Sequence, residues 1–301
     1  MSNQEEQKGA PVVLLTGGTG FIGRNILPTL VGCGTILTPG RAELDLRQEG
    51  SVSAYALAHG VTHIVHCANP NPAKNAQDKT PRMFEDSLGC FLNVYEARKH
   101  VQQILYLGSG AEYDKRMDVA GVTEDEAMRS VPQDAYGKAK FAMNALARQS
   151  DNVYNLRIFG CYGPGDHYTK FITHCVRSVL VGRTITIRQD CFFDYLHVYD
   201  LAKVVAFYIA KDPVRHDLNV ASGKRVSLGQ IAHTVLDVMG SDVGVQVLAE
   251  GLNREYTCDV ERMRQDIGQL YDSFIPLEEG IRIQAAYERA HMQEWVHLNE
   301  I

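Results

Sequence analysis

The sequence predicts an α/β fold, a parallel sheet covered by helices on both faces, and three observations predict it. Short runs rich in β-branched and aromatic residues alternate with helical patterns through the first half of the chain. Those runs are nearly continuously apolar, as strands buried on both faces are. The first of them ends in a glycine-rich turn that opens a helix.

Taken in order, the strand-like runs are VVLLT (12–16), TILT (35–38), VTHIVHC (61–67), QILYL (103–107) and VYNLRI (153–158). Helical patterns span 20–31, 51–59, 81–100 and 134–149. After about Gly160 the rhythm loosens. The loop YGPGDHY leads to a helix near 170–181, a strand pair near 184–187 and 194–198, and helices at 199–210, 227–239 and 279–292. No Ser/Gly-rich or charged linker separates the halves, so a second lobe is expected to pack directly on the first. The polar stretch MSNQEEQKGA has no apolar core of a signal peptide, and residues 1–10 read as a disordered lead-in.

Composition narrows the function classes. At 301 residues, 45% apolar and 22% charged, the chain is an ordinary globular protein. A formal net charge of −6 argues against a non-specific nucleic-acid or polyanionic-membrane binder. No apolar run approaches the roughly 20 residues that span a bilayer. Seven cysteines are scattered without CxxC pairs, which suits a reducing, cytoplasmic setting. His63 and His66 alternate with apolar residues on a strand and are expected to be buried and hydrogen-bonded. His167 and His174 have no partner at metal-ligand spacing, so no metal is expected.

The segment VVLLTGGTGFIGRN carries the first chemistry. Gly17, Gly20 and Gly23 permit a tight turn, close approach of a pyrophosphate and helix–sheet packing, respectively. With Phe21 and Ile22 they open a helix whose N–H groups and partial positive charge suit phosphate. The second strand, TILTPGRAELD, has no acid at its end to take a ribose hydroxyl. Arg41 follows instead. As a partner for a 2′-phosphate it favours NADP(H), with NAD(H) the alternative; otherwise it is a solvated loop charge.

The second chemistry lies in LGSGAEY and AYGKAK. Ser109 sits at the carboxyl end of a strand, where ligands bind in open parallel sheets. Tyr136 and Lys140, four apart on a helix, project from one face. A free phenol titrates near about 10. A nearby ammonium favours the phenolate. The expectation is that Lys140 lowers the Tyr136 pKa while Ser109 hydrogen-bonds the substrate oxygen that Tyr136 protonates or deprotonates.

With the glycine turn, these residues resemble the extended short-chain dehydrogenase/reductase family, the NAD(P)-dependent nucleotide-sugar epimerases, dehydratases and reductases. The resemblance runs from TGGTGFIG through YGKAK and LRIFGCYGP to FFDYLHVYDLA. It implies a Rossmann-type, doubly wound parallel sheet with a smaller C-terminal substrate lobe. Residues 11–165 would form the dinucleotide-binding domain, rejoined by about 192–222, and 166–191 with 223–301 the lobe. Ser109, Tyr136 and Lys140 take the family's catalytic positions, and Tyr136 and Lys140 also contact the cofactor. The helices at 83–98 and 141–146 resemble those that often form a dimer contact, so a homodimer is implied.

Within that resemblance, 4,6-dehydratases carry an acid pair directly after the hydroxyl residue, where this chain has Gly110 and Ala111. GDP-fucose synthase carries a cysteine base at the Ala111 position. Neither proton-active group is present, and Glu112, one place further, is expected to point elsewhere. The short route from the second strand to LDL (44–46) resembles GDP-fucose synthase-like and 4-keto-sugar reductases. The leading expectation is NADPH-dependent reduction of a nucleotide-linked 4-keto sugar. An NAD-dependent 4-epimerase is the alternative, and a non-catalytic dinucleotide-sensing scaffold the third. Gly160, Phe193 and Asp86 depart from the family pattern, where asparagine, arginine and asparagine are usual. Lys170, Arg188 and Arg254 are candidate cations for the substrate's diphosphate, beside Gly110 and Ala111; for the two arginines a plain surface charge is the alternative.

Overall fold

The computed structural model describes residues 9–70, 82–211 and 213–298. Most of the expected lead-in, and the first residue of the 81–100 helical pattern, lie outside them. Six strands stand side by side in one sheet: β2 (Thr35–Leu37), β1 (Val12–Thr16), β3 (His63–His66), β4 (Gln103–Ser109), β6 (Val153–Ile158) and β11 (Asp217–Val220). Every pairing in it is parallel. β4 runs two residues past the expected QILYL and so carries Ser109 at its carboxyl end. From β1 the chain steps outward to β2, then returns to lay β3 on the other side of β1. That reversal opens a crevice beyond the carboxyl ends of β1 and β3.

The period of two along each strand divides the core. Val13 and Leu15 enter one cluster with Ile26 and Leu30 of α1 (Phe21–Leu30) and Leu201 and Val205 of the helix Val198–Ala210. Leu14 and Ile64 point the other way. They meet Val52 of α2 (Ser51–Ala58), Phe91 and Val94 of α3 (Met83–Glu96) and Met143 of α4 (Ala135–Ala147). Helices thus cover both faces, as the apolar strands require.

A third cluster makes the lobe. It joins Ile172 and Val176 of α5 (Phe171–Leu180), Ile231 and Val235 of the helix Leu228–Met239, and Ile281 of the helix Leu277–Ala290. The strand pair expected at 184–187 and 194–198 does not form. β8 (Ile185–Asp190) pairs with β13 (Val245–Leu252), and β10 (Tyr195–His197) with β7 (Gly160–Tyr162), both in parallel. The reason lies at Gly160: a Cβ there would fall 2.5 Å from the Asp194 carbonyl, so only glycine lets the two backbones close.

A small four-stranded sheet draws on four distant segments, in the order β12 (Val226–Ser227), β9 (Phe192–Phe193), β14 (Tyr256–Cys258) and β5 (Val119–Val122). Just after β14, Val260, Met263 and Ile267 enter the first core cluster, with Leu270, Tyr271 and Phe274 against it. The expected lobe segment 223–301 is therefore interrupted. Apolar spacing sends 256–274 onto the first core cluster rather than the third.

Candidate active site

The crevice floor begins where β1 ends. Gly17 has φ +72°, and a Cβ there would sit 2.7 Å from the Ala68 nitrogen. A Cβ on Gly23 would fall 2.2 Å from the Gly17 carbonyl, which ties the helix to the turn. α1 has no side chain capping it and no acid in its first turn, so its N–H groups stay available. Phe21 and Ile22 follow at once and pack against the core. Beyond lies a cleft of about 370 Å³ lined by Gly17, Thr38, Arg41, Asp45, Arg47 and Asp86. Arg41 places Nε 3.7 Å from the Asp45 carboxylate, and Arg47 places Nη2 3.0 Å from the same oxygen. Arg47 escaped the sequence reading; a second cation six residues on was its only signal.

Three local devices assemble the reaction centre. Ser109 Oγ accepts from the Ala111 N–H at 3.1 Å, and Glu112 Oε1 accepts from the Ser109 N–H at 3.2 Å, a reciprocal cap that fixes the strand exit. Asp134 accepts from the Gly137 N–H at 2.8 Å and starts α4. A Cβ on Gly137 would lie 2.6 Å from the Ala111 carbonyl, so glycine lets α4 seat against the Ser109 turn. Tyr136, half-buried, thereby stands near enough to Ser109 for that hydroxyl to favour its phenolate. One turn on, the buried Lys140 donates to the Leu107 carbonyl at 2.8 Å, with Nζ 5.8 Å from the Tyr136 ring centre.

Burial governs the electrostatics. It pushes Tyr136 up to about 12, against the pull of the Ser109 hydroxyl, and Lys140 down to about 8, against the attraction of Glu112. The net lowering of the phenol that was expected is not found in the free protein. Desolvation outweighs Ser109's contribution, and the ammonium is engaged with Leu107. At neutral pH both side chains therefore hold their protons. His66 is buried with Nδ1 2.8 Å from Thr16 Oγ1, and burial, with the nearby Lys140 charge, pushes it down to about 3.

Glu112 turns beneath the site. It is fully buried, accepts from Arg157 Nε at 2.9 Å and takes both Asn155 amide bonds at 3.0 Å. Arg157, equally buried, also donates to Asp217 at 2.6 Å and Asn219 at 3.0 Å. The carboxylate is spent on this network.

Tyr256 was not foreseen. β14 carries its hydroxyl against Gly110, 2.5 Å from where a Cβ would stand, and into the field of Tyr136. Its ring lies 5.0 Å from Phe159 and 5.6 Å from Phe193. Gly110 and Ala111 lie buried at the turn beside it. Arg254 stands two residues before Tyr256, donates to the Lys115 carbonyl, and lines a second cleft of about 370 Å³ with Phe192, Arg225 and Glu255. Lys170 sits just before α5, close enough to Asp166 and Cys161 to favour their charged forms. Arg188 is exposed on β8, and no contact brings it to the Ser109 cluster among the described residues. Among the described residues no three His, Cys, Asp or Glu side chains gather as a metal site.

Comparison with known proteins agrees with this architecture. A model of the NAD dependent epimerase/dehydratase family matches residues 13–221. GDP-L-colitose synthase of Yersinia pseudotuberculosis is 23% identical over 253 residues, covering 76% of this chain and 82% of its own. UDP-glucose 4-epimerase of Azospirillum brasilense is 22% identical over 310 residues, 88% of each chain. Among solved structures, a GDP-L-fucose synthetase from Naegleria fowleri bound to NADP superposes with a TM-score of 0.80 at 15% identity, over 95% of each chain. The structural likeness carries the fold, and the family match spans well over half the sequence. The chain belongs to the NAD dependent epimerase/dehydratase family, within the extended short-chain dehydrogenases/reductases its motifs resemble.

Proposed function

We propose that the chain reduces a nucleotide-linked 4-keto deoxy sugar with NADPH, in the supply of sugars for a surface glycan. One observation carries the reading: Ser109, Tyr136 and Lys140 stand together while Gly110, Ala111 and the network-bound Glu112 offer no further acid or base. Such a centre can move one proton at one oxygen. Among the described residues it lacks the groups for proton chemistry at other sugar carbons.

The missing Cβ atoms at Gly17 and Gly23 and the uncapped α1 fit a dinucleotide's pyrophosphate. Arg41 and Arg47 fit a 2′-phosphate at the cleft mouth, which favours NADPH over NADH. When bound, the dinucleotide supplies the hydride. Tyr136, protonated well above neutral pH, donates its proton to the carbonyl oxygen as that oxygen becomes a hydroxyl. Ser109 donates to the same oxygen and holds it in place. The Lys140 ammonium sits a helical turn from the phenol and offsets the negative charge left on Tyr136. Arg254, with Arg225 stacked 3.3 Å over Phe192, offers the opposite cleft to the nucleoside diphosphate; Lys170 is a second cation for it. Arg188, exposed on β8, is a weaker candidate. We assign the assembly as a homodimer through α3 and α4, on family resemblance.

The test is NADPH oxidation with a panel of 4-keto-6-deoxy nucleotide sugars. Turnover is expected with NADPH in preference to NADH, and Tyr136→Phe is expected to lose about 10²–10⁴-fold in kcat with dinucleotide binding intact. If none of the panel is consumed, the assignment fails. Tightly held NAD surviving purification, with interconversion of 4-epimers, replaces it with the epimerase. A Tyr136→Phe protein that keeps its full function points to a dinucleotide-sensing scaffold.

A further inference from the structure

We infer that Arg24 and Asn25 are positioning residues for the substrate: they fasten α1 to the turn that delivers Lys170, so that one joint sets both halves of the site. The inference deepens the reading above and rests on it for the role of Lys170 at the diphosphate.

The joint links side chains of α1 to carbonyls of the turn after β7. Arg24 Nη2 donates to the Gly165 carbonyl at 2.6 Å, and Asn25 Nδ2 donates to the Pro164 carbonyl at 2.9 Å. The same amide nitrogen donates to the Phe21 carbonyl at 2.8 Å. An amide nitrogen has two protons, so Asn25 spends one on its own helix and one across the gap. Phe21 opens α1, the helix whose uncapped start suits a pyrophosphate. Whatever stills that start stills the turn as well.

Gly165 shows that the fit is specific. Its φ of +75° lies in the left-handed region, and a Cβ there would collide with Arg24 Nη2 and stand 3.1 Å from the Tyr287 hydroxyl. Tyr287 belongs to the lobe helix Leu277–Ala290. One bare backbone position is thus shared by α1, the turn and the lobe. Next to it, Asp166 is 5% exposed. Its Oδ1 accepts from the His167 N–H at 2.8 Å, and its Oδ2 is buried with no hydrogen-bond partner among the described residues. That unpaired acceptor weighs against the turn's conformation, and the two bonds from α1 offset it.

Lys170 follows on the same segment. Its N–H donates to the His167 carbonyl at 2.9 Å and its carbonyl accepts from the His174 N–H at 2.8 Å, which makes it the N-cap of α5. A cation held this way takes its place from α1, not from the lobe alone. Binding energy gathered at a substrate's remote diphosphate aids the reaction only when the reacting carbon is in register with the dinucleotide. The joint supplies that register.

Arg24→Met keeps the stem and removes the donors. It is expected to raise KM for the sugar about two- to tenfold, the range of one lost hydrogen bond, with KM for NADPH within about twofold. In Lys170→Met the further change Arg24→Met is expected to cost nothing more. With no sugar present, saturating dinucleotide (NADP+, or NAD+ where that binds instead) is expected to slow amide exchange at 163–170, read by mass spectrometry. In Arg24→Met/Asn25→Ala that protection is expected to be absent. Losses that multiply with Lys170→Met, or equal protection in the two proteins, overturn the inference. A variant that melts early and releases dinucleotide assigns the pair to structure and overturns it as well. A protein that binds dinucleotide and reduces no sugar sinks the functional reading alone, because the exchange difference still decides the joint.

Discussion

At the end of β1, Gly17, Gly20 and Gly23 present bare backbone and a helix end, whereas the surroundings of Gly110 and the second cleft are built from the side chains of Phe159, Phe193 and Tyr256 and of Arg254. The first surface is contiguous in sequence and fails if anything is added. The second is assembled from three separate segments and changes character with each substitution, while the sheet beneath stays put. On the function proposed, recognition of the cofactor belongs on the first surface. On the same proposal, choice among substrates belongs on the second, where chemistry can vary at little cost to the fold.

Three measurements break or sharpen this contrast. The largest effect is expected beneath both surfaces, at Arg157. Arg157→Met leaves Glu112 buried without its cation and Asp217 with Arg148 alone, and is expected to cost about 3–5 kcal/mol in denaturant unfolding. A loss below about 1 kcal/mol would mean the two sides do not share that floor. Next comes Gly23→Ala. Its Cβ meets the Gly17 carbonyl, which is backbone and cannot rotate away, so calorimetry should register a loss of about 1–3 kcal/mol together with weakened dinucleotide binding. Undiminished dinucleotide affinity would show that the first surface tolerates addition after all.

The smallest effect concerns Lys140, at the seam. Its pKa falls from 10.5 to about 8 on folding. Between those values the unfolded chain binds a proton that the folded chain does not, so stability attributable to Lys140 rises with pH, by at most about 1.4 kcal/mol per pH unit. The ammonium that the proposed chemistry uses is lost over the same window, and kcat/KM is expected to fall about tenfold per pH unit above about pH 8. Comparison with Lys140→Met isolates this residue from the tyrosines that titrate nearby. Activity and stability rising together with pH would refute the assignment.

The same contrast explains what the sequence disclosed. VVLLTGGTGFIG, the strand-end Ser109 and the four-residue spacing of Tyr136 and Lys140 are local patterns, and each maps onto one turn or one helix face. Tyr256 had no such pattern, because it enters the site only through pairing of β14 with β5 and β9. Its one trace was Gly110, which reads in sequence as an absent acid and in space as room reserved for another side chain. The β8–β13 pair stayed hidden for a related reason. Its partners are separated by the whole helix Leu228–Met239, and β13 is largely exposed, so it lacks the alternation that marks a half-buried strand.

The return of residues 256–274 to the first core cluster bears on how the chain is made. Tyr256, Cys258, Val260, Met263 and Ile267 close an apolar surface whose other buried members are complete once Ala221, just after β11, has been synthesised. A ribosome adding about 5–20 residues per second needs a few more seconds to deliver them. During that interval the nascent N-terminal portion is sticky and unfinished, and a chaperone has its natural moment to bind.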